Sequence, residues 1–84
     1  MDKFVLTCID ENINIISQKI FDTIELAEEE MKFGYEELKR ILNTHKYEIV
    51  SEDYHPHIEA EIVYDSDPCF LKWMIRCVRI DEKE

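Results

Sequence analysis

This 84-residue sequence has few of the residues that interrupt regular structure. It contains one glycine and two prolines, which excludes a glycine-rich phosphate-binding loop and a low-complexity chain. No apolar run approaches the roughly 20 residues that span a bilayer, and the start at Met1-Asp2-Lys3-Phe4 lacks the features of a signal peptide. Because 45% of the residues are hydrophobic, we expect one folded domain over residues 1–84, soluble and cytoplasmic.

The sequence also lacks a recognisable catalytic or metal-binding motif. Cys8, Cys69 and Cys77 are odd in number and have no C-x-x-C spacing, which favours reduced thiols over a disulfide framework or a zinc ribbon. The segment 53–57 contains metal-ligating residue types, but Pro56 separates its two histidines and no further ligand is evident. We therefore expect no enzyme activity, no cofactor and no metal site.

Lysine and arginine are absent from two stretches that are rich in acidic residues. Residues 21–31 and 47–71 together sum to −12, whereas the whole chain has a net charge of −10. Such stretches predict a strongly negative field, which favours basic partners and disfavours DNA, RNA and anionic membranes. From them we take as candidate partner-binding residues Asp22, Glu25, Glu29, Glu48, Glu52, Asp53, Glu59, Glu61, Asp65 and Asp67.

The first half of the chain predicts a β-hairpin followed by helix. Residues 4–9 are β-branched and aromatic, which is typical of a strand. Residues 13–20 fit either a strand or a helical stripe. Asp22, with Glu25 three residues later, predicts a capping box that starts a helix, and this leaves 13–20 to form the second strand. We expect that helix to run to about Lys32 and to stop at Gly34.

The second half predicts another helix and then three strands. Residues 35–42 have one apolar face, and Asn43-Thr44 closes the element. Strands are expected at 46–51, 57–64 and 70–80, with a loop at 53–56 and a turn at 65–69. Pairing residues whose numbers sum to 135 sets Glu59 against Arg76 on the wet face. The expected fold class is α+β, with a helical hairpin packed on an antiparallel sheet in the order ββααβββ.

Carboxylates on the first helix have a spacing comparable with that of DNA phosphates. The segment 22–30 would span about 12 Å as a helix, and one strand of B-DNA carries about three to four phosphates over that length. Asp22, Glu25 and Glu29 are expected to share one ridge. Carboxylates of the second stretch would extend the same surface if both stretches face one way.

The predicted helical pair resembles the modular helix-turn-helix segment attached to homing nucleases. The residues that carry the resemblance are Phe21 to Ala27, Met31 to Tyr35 and Leu38 to Asn43, about a quarter of the chain. In that family a Phe-x-Ser-Ile-x-x-Ala helix precedes a second helix that reads DNA. The first helix here is too acidic to approach a phosphate backbone, so the architecture is expected without the activity.

The size, acidity and α+β composition also resemble the small phage-encoded anti-restriction proteins of the Arn type, which are DNA mimics. The resemblance implies a non-enzymatic inhibitor, in the host cytoplasm, that blocks a basic DNA-binding defence enzyme of the restriction or CRISPR type; a homodimer is one option. Two alternatives stay open. One is a DNA-binding regulator or accessory module that uses Lys39, Arg40 and Lys46, and the other is an antitoxin-like partner of one basic protein.

Overall fold

One helix lies across a five-stranded antiparallel sheet in the part of the chain that the structure describes. The computed structural model describes residues 1–65 and 69–80. The elements in chain order are β1 (Asp2–Ile9), β2 (Ile15–Phe21), α1 (Ile24–Thr44), β3 (Ile49–His55), β4 (Glu59–Tyr64) and β5 (Cys69–Arg79). In the sheet the strand order is β2-β1-β5-β4-β3, so that β2 and β3 are its two edges.

The core lies between α1 and one face of the sheet. Alternate residues of a strand point to the same side, and this places Leu6, Ala60 and Trp73 against the helix. From α1, the buried stripe that meets them includes Met31 and Tyr35. No second layer covers the opposite face of the sheet within the described residues, and we refer to that face as the open face.

The predicted helical hairpin is wrong, because a single helix replaces it. Gly34 lies inside α1 and does not have a positive φ. A glycine within a helix costs about 1 kcal/mol relative to alanine, but here it allows close packing. A Cβ built at Gly34 would lie 3.0 Å from Nε1 of Trp73. The observed element order is therefore β-β-α-β-β-β, and the helix-turn-helix architecture is absent from the described residues.

The N-terminal end of α1 differs from the prediction, whereas its C-terminal end at Thr44 agrees with the predicted end of the second helix. Its N-cap is Thr23 rather than Asp22, with the Thr23 hydroxyl accepting a hydrogen bond from the Leu26 amide at 3.2 Å. The Asp22 carboxylate instead pairs with Lys3 on β1. At the C-terminus, the Lys46 and Tyr47 amides donate to carbonyls of the last turn. Lys46 has a φ of 63°, so it takes the left-handed position that glycine usually occupies after a helix.

The strands confirm the predicted hairpin of β1 and β2, but two details of the sheet differ. Residues 53–55 belong to β3 rather than to a loop, while part of the turn expected at 65–69 lies outside the described residues. β4 pairs with β5 so that residue numbers sum to 133 rather than 135, which sets Glu59 opposite Met74 instead of Arg76. A shift of two residues preserves the face of every side chain, so the predicted apolar face is the one that meets the helix.

Candidate functional site

Aromatic side chains hold α1 against the edge strand β3. The rings of Tyr35 and Tyr54 pack edge to face with centroids 5.0 Å apart. Tyr35 also packs at 6.0 Å against Trp73 on β5. Edge-to-face pairs add about 0.5–1.5 kcal/mol beyond the area that they bury. The two tyrosines thus fix one flank of the helix beside β3.

Each of these tyrosines donates its hydroxyl hydrogen bond to a carboxylate. The hydroxyl of Tyr35 donates to Glu52 on β3 at 3.0 Å, and that of Tyr54 donates to Glu28 on α1. Glu28 belongs to the first acidic stretch and Glu52 to the second. The pair of tyrosines is therefore the place where the two acidic stretches of the sequence meet.

Both carboxylates have a second partner, which further fixes their positions. Glu28 accepts a hydrogen bond of 2.6 Å from the backbone amide of His57, which lies in a tight turn and has a φ of 70°. Glu52 lies 3.0 Å from the ammonium of Lys39. Hydrogen bonds to charged groups contribute more than neutral ones, so these carboxylates connect the helix to β3 and to the turn after it.

The electrostatics of this region are those of concentrated negative charge. Burial, then the hydrogen bond to Glu52 and the charges of Glu52, Glu36 and Asp53, raise the pKa of Tyr35 to about 12. The pKa of Tyr54 is raised further, first by burial and then by Glu28. We call Glu28, Glu36 and Glu52 the tyrosine-carboxylate cluster; Asp53, directly opposite Glu61 on β4, points to the open face.

Within the cluster, Glu52 remains ionised over a wide pH range. Hydrogen bonds from Lys39 and then from Tyr35 lower the pKa of its carboxyl below the usual range. A carboxylate that accepts hydrogen bonds in its charged form resists protonation. Glu52 therefore keeps its negative charge at and below neutral pH.

The predicted partner-binding residues lie in several separate places. Of them, only Glu52 belongs to the cluster; nearby, on the outward side of α1, Glu25 and Glu29 are exposed. Glu48 and Asp65 lie together at the start of β3, where the Asp65 amide donates to the Glu48 carbonyl at 2.8 Å. The open face carries Asp53, Glu59 and Glu61, Asp22 lies beside Lys3, and Asp67 is outside the described residues.

The ridge of Asp22, Glu25 and Glu29 does not exist, because Asp22 precedes the helix and points to β1. Sequence reasoning also missed Glu28, Glu36 and both tyrosines. One signal was available for Glu28. It lies seven residues before Tyr35, and two helical turns place such residues on the same flank.

Two of the three cations proposed for DNA contact are engaged with carboxylates of this chain. Lys39 pairs with Glu52, and the guanidinium of Arg40 binds Glu37 at 2.6 Å. Lys46 lies in the turn that ends α1. Within the described residues there is no second helix beside these cations.

The surroundings of two cysteine thiols, Cys8 and Cys69, raise their pKa and so favour the protonated form. Burial, with the charge of Asp10, raises the pKa of Cys8 to about 11. The hydrogen bond that the Cys69 thiol donates to Glu11 at 3.0 Å raises the pKa of Cys69. Because the thiolate is the reactive form, neither thiol is activated as a nucleophile. All three cysteines are free.

The described residues contain neither a group of metal ligands nor a helix that could span a membrane. Across 1–65 and 69–80, no three histidine, cysteine, aspartate or glutamate side chains are grouped so that they could hold a metal ion. The one helix in these ranges is too polar for a membrane span. Comparison with protein-family models, with curated proteins and with solved structures finds no match for this chain.

Proposed function

We propose that this protein is a non-enzymatic inhibitor that presents a nucleic-acid-like acidic surface to a basic nucleic-acid-binding protein. The enzyme it blocks would be a DNA-binding defence enzyme of the restriction or CRISPR type. One observation carries the proposal, namely the meeting of both acidic stretches around Tyr35 and Tyr54. This surface, formed by the flank of α1 and by β3, is called the β3-side surface below.

Charge density on the helix supports mimicry of a phosphate backbone. Four glutamates, at positions 25, 28, 29 and 36, lie on one side of α1 over about 16 Å. Over the same length one strand of B-DNA carries about five phosphates. Lys32 lies among these glutamates and offsets one of their negative charges. Four glutamates and one lysine give this side of the helix a net charge of −3, about three fifths of the charge on one DNA strand of that length.

The edge at β3 adds acidic residues beside this side of the helix. Glu52 faces the helix side of the sheet, whereas Asp53, opposite Glu61, faces the open side, so the β3 edge carries a carboxylate on each side. A basic partner that approaches the molecule at this edge would meet both carboxylates and the glutamates of α1.

The division of acidic residues limits the proposal to this side of the molecule. Glu59 and Glu61 on the open face, together with Asp22 and Glu30 at the β2 side, do not contribute to it. The last two are paired with lysines of this chain. Their charge is expected to aid solubility and long-range attraction rather than direct contact.

The test is capture of basic nucleic-acid-binding proteins from a bacterial lysate by the immobilised protein, followed by assays of DNA cleavage with each captured enzyme. A mimic should lose its target when competing duplex DNA is added and when salt is raised. Capture that DNA does not compete supports the antitoxin-like alternative instead. Direct binding of labelled duplex DNA by the protein itself would contradict both.

A pair of charge-matched variants locates the surface. Each removes three negative charges, and neither removes an acceptor of the tyrosine hydroxyls. Neutralising the β3-side surface should weaken target binding about tenfold, or about 1.4 kcal/mol, while the control should bind nearly as the wild type. Equal loss in both variants would refute the assignment. The test variant carries Glu29→Gln, Glu36→Gln and Asp53→Asn, and the control carries Asp2→Asn, Asp22→Asn and Glu37→Gln.

A further inference from the structure

The two edge strands of the sheet differ in how they are protected against pairing with another chain. β3 carries Glu52 and Asp53, and Pro56 follows it. Charges and prolines at an edge are the usual means of preventing intermolecular pairing. β2 has no proline, and its one charged residue is Lys19, which already binds Glu30 at 2.7 Å. The edge at β2 is therefore open to another strand.

The side chains of β2 are also unusually apolar for an exposed edge. Ile15, Ile16 and Ile20 are 61%, 55% and 64% exposed. On the helix side, a groove of about 330 Å³ runs between β2 and α1, and the exposed side chains of Phe33 and Ile41 line it. Contiguous apolar surface of this kind marks a site of association in soluble proteins.

Apolar surface continues around β2 onto the open face. There a second depression, of about 460 Å³, is lined by residues of β1, β2 and β5, including Val5, Ile9 and Val78. Ile13, before β2, is 76% exposed at the same place. A strand added at β2 would bring its side chains over both depressions, since successive side chains point to opposite faces.

We infer that two copies of this protein pair their β2 strands antiparallel about a two-fold axis, forming one ten-stranded sheet. With the axis at Gln18, the midpoint of β2, Ser17 faces Lys19 of the second copy, and the exposed isoleucines of both β2 strands lie along the contact. The contact is self-complementary, as a two-fold interface requires. It also leaves no free β2 edge.

Charge permits a second copy at this edge and disfavours contacts between copies at the acidic surfaces. Each chain has a net charge of −10, so two copies repel unless they meet where charges are balanced. The β2 side meets this condition because Lys19 binds Glu30 and Arg40 binds Glu37. Pairing of β2 with the acidic β3 of another copy would instead set isoleucines against carboxylates. That head-to-tail contact would also continue without closing.

The expected dimer leaves both β3-side surfaces free. β2 and β3 are at opposite edges of each sheet, so the two acidic surfaces would lie at the outer ends of the ten strands. Nine strand spacings correspond to about 43 Å in a flat sheet. The dimer does not depend on the proposed function, and each can be tested without the other.

The mass of the protein in solution tests the dimer directly. Light scattering over a range of concentrations should give twice the 10.2 kDa of one chain at high concentration. The variant Ile16→Lys/Ile20→Lys should give 10.2 kDa with an unchanged circular dichroism spectrum. As a matched control, Val50→Lys places a lysine at an exposed apolar position of β3 and should remain dimeric. A wild type that stays monomeric would overturn the inference and leave β2 for a strand of another protein.

Cross-linking tests the register and remains informative if the lysine variant fails to fold. Directly opposed residues of antiparallel strands have Cα atoms about 4.5–5.5 Å apart, within the range of a disulfide. In a Cys77→Ser background, which removes the exposed thiol, Gln18→Cys should give a covalent dimer under mild oxidation. Ser51→Cys, at an exposed position of β3, should not. Equal cross-linking at both positions would contradict pairing through β2.

Discussion

Replacing Gly34 by alanine should destabilise the protein, although glycine is normally a poor helix residue. In an open helix position the change would stabilise by about 1 kcal/mol, because alanine has the higher helix propensity. At Gly34 the new Cβ would lie 3.0 Å from Nε1 and 3.4 Å from Cε2 of Trp73. The indole is buried and packs against Tyr35, so it has little room to move away.

The expected net effect follows from these opposing contributions. Forcing extra atoms into a packed core costs about 1–3 kcal/mol, against the gain of about 1 kcal/mol from propensity. We expect Gly34→Ala to lower the free energy of unfolding by about 1 kcal/mol. In urea denaturation, a small protein with a slope of about 1 kcal/mol/M would show a midpoint lower by about 1 M.

Two further sets of variants isolate the contact with the indole. In a Trp73→Phe background the atoms nearest the new Cβ are absent, so Gly34→Ala should become neutral or stabilising there. The coupling energy of the double-mutant cycle should be about 1–2 kcal/mol. Comparison of Lys32→Ala with Lys32→Gly, at an exposed position of α1, measures the propensity difference without the contact. Stabilisation by Gly34→Ala in the wild type, or zero coupling, would refute the reasoning.

Three other predictions concern the ends of the helix and the tyrosine-carboxylate cluster. Lys46→Gly should raise the free energy of unfolding by about 0.5–1 kcal/mol, because a left-handed conformation costs lysine about 1–2 kcal/mol; no change in the urea midpoint would contradict this. Thr23→Ala should cost about 1 kcal/mol by removing the N-cap, whereas Asp22→Ala should cost clearly less, and the reverse order in thermal melts would restore Asp22 as the cap. Stability should fall as pH rises from about 10 towards 12, since the folded protein keeps Tyr35 neutral up to about pH 12 whereas the unfolded chain ionises it near pH 10. In denaturation measured over this pH range, Tyr35→Phe should make the decline less steep. An equally steep decline in that variant would count against the assignment.

The parts of the fold that the sequence predicts are those that depend on local pattern. Alternation of apolar residues predicts the five strands and, for β4 and β5, the face directed to the core, because successive side chains point to opposite sides. It does not fix the pairing, since sums of 133 and 135 place the same side chains inward. In the structure the sum is 133, which sets Trp73 opposite Ala60.

The single glycine explains the main error in the helix. A glycine after an apolar stripe is a common helix end, and no local pattern distinguishes that role from a close approach to a side chain 39 positions later. The apolar residues Met31, Tyr35, Leu38 and Leu42 lie at helical spacing on both sides of the glycine, as one helix requires. The contact with Trp73 that justifies the glycine is visible only in the folded protein.

For the candidate site, the sequence predicts which stretches are acidic but not which sides of the molecule they occupy. Glu28 and Glu52 meet because α1 lies beside β3, and that depends on the strand order. Ion pairs to Lys3 and Lys19 direct Asp22 and Glu30 elsewhere. Lys3 and Lys19 both precede the helix in the sequence, and their spacing along the chain does not show which carboxylate each one binds.

The position of β5 in the sheet determines when the protein can fold during its synthesis. β5 lies between β1 and β4, and it pairs with β1 so that Asp2 is opposite Arg79. A ribosome-bound chain that ends before β5 has two separate hairpins, and isolated two-stranded hairpins are marginally stable in water. The central pairing also spans nearly the whole sequence, which slows folding. The nascent chain should therefore remain unfolded until residues 69–79 leave the ribosome, with the apolar side chains of β1 and β2 accessible to chaperones until then.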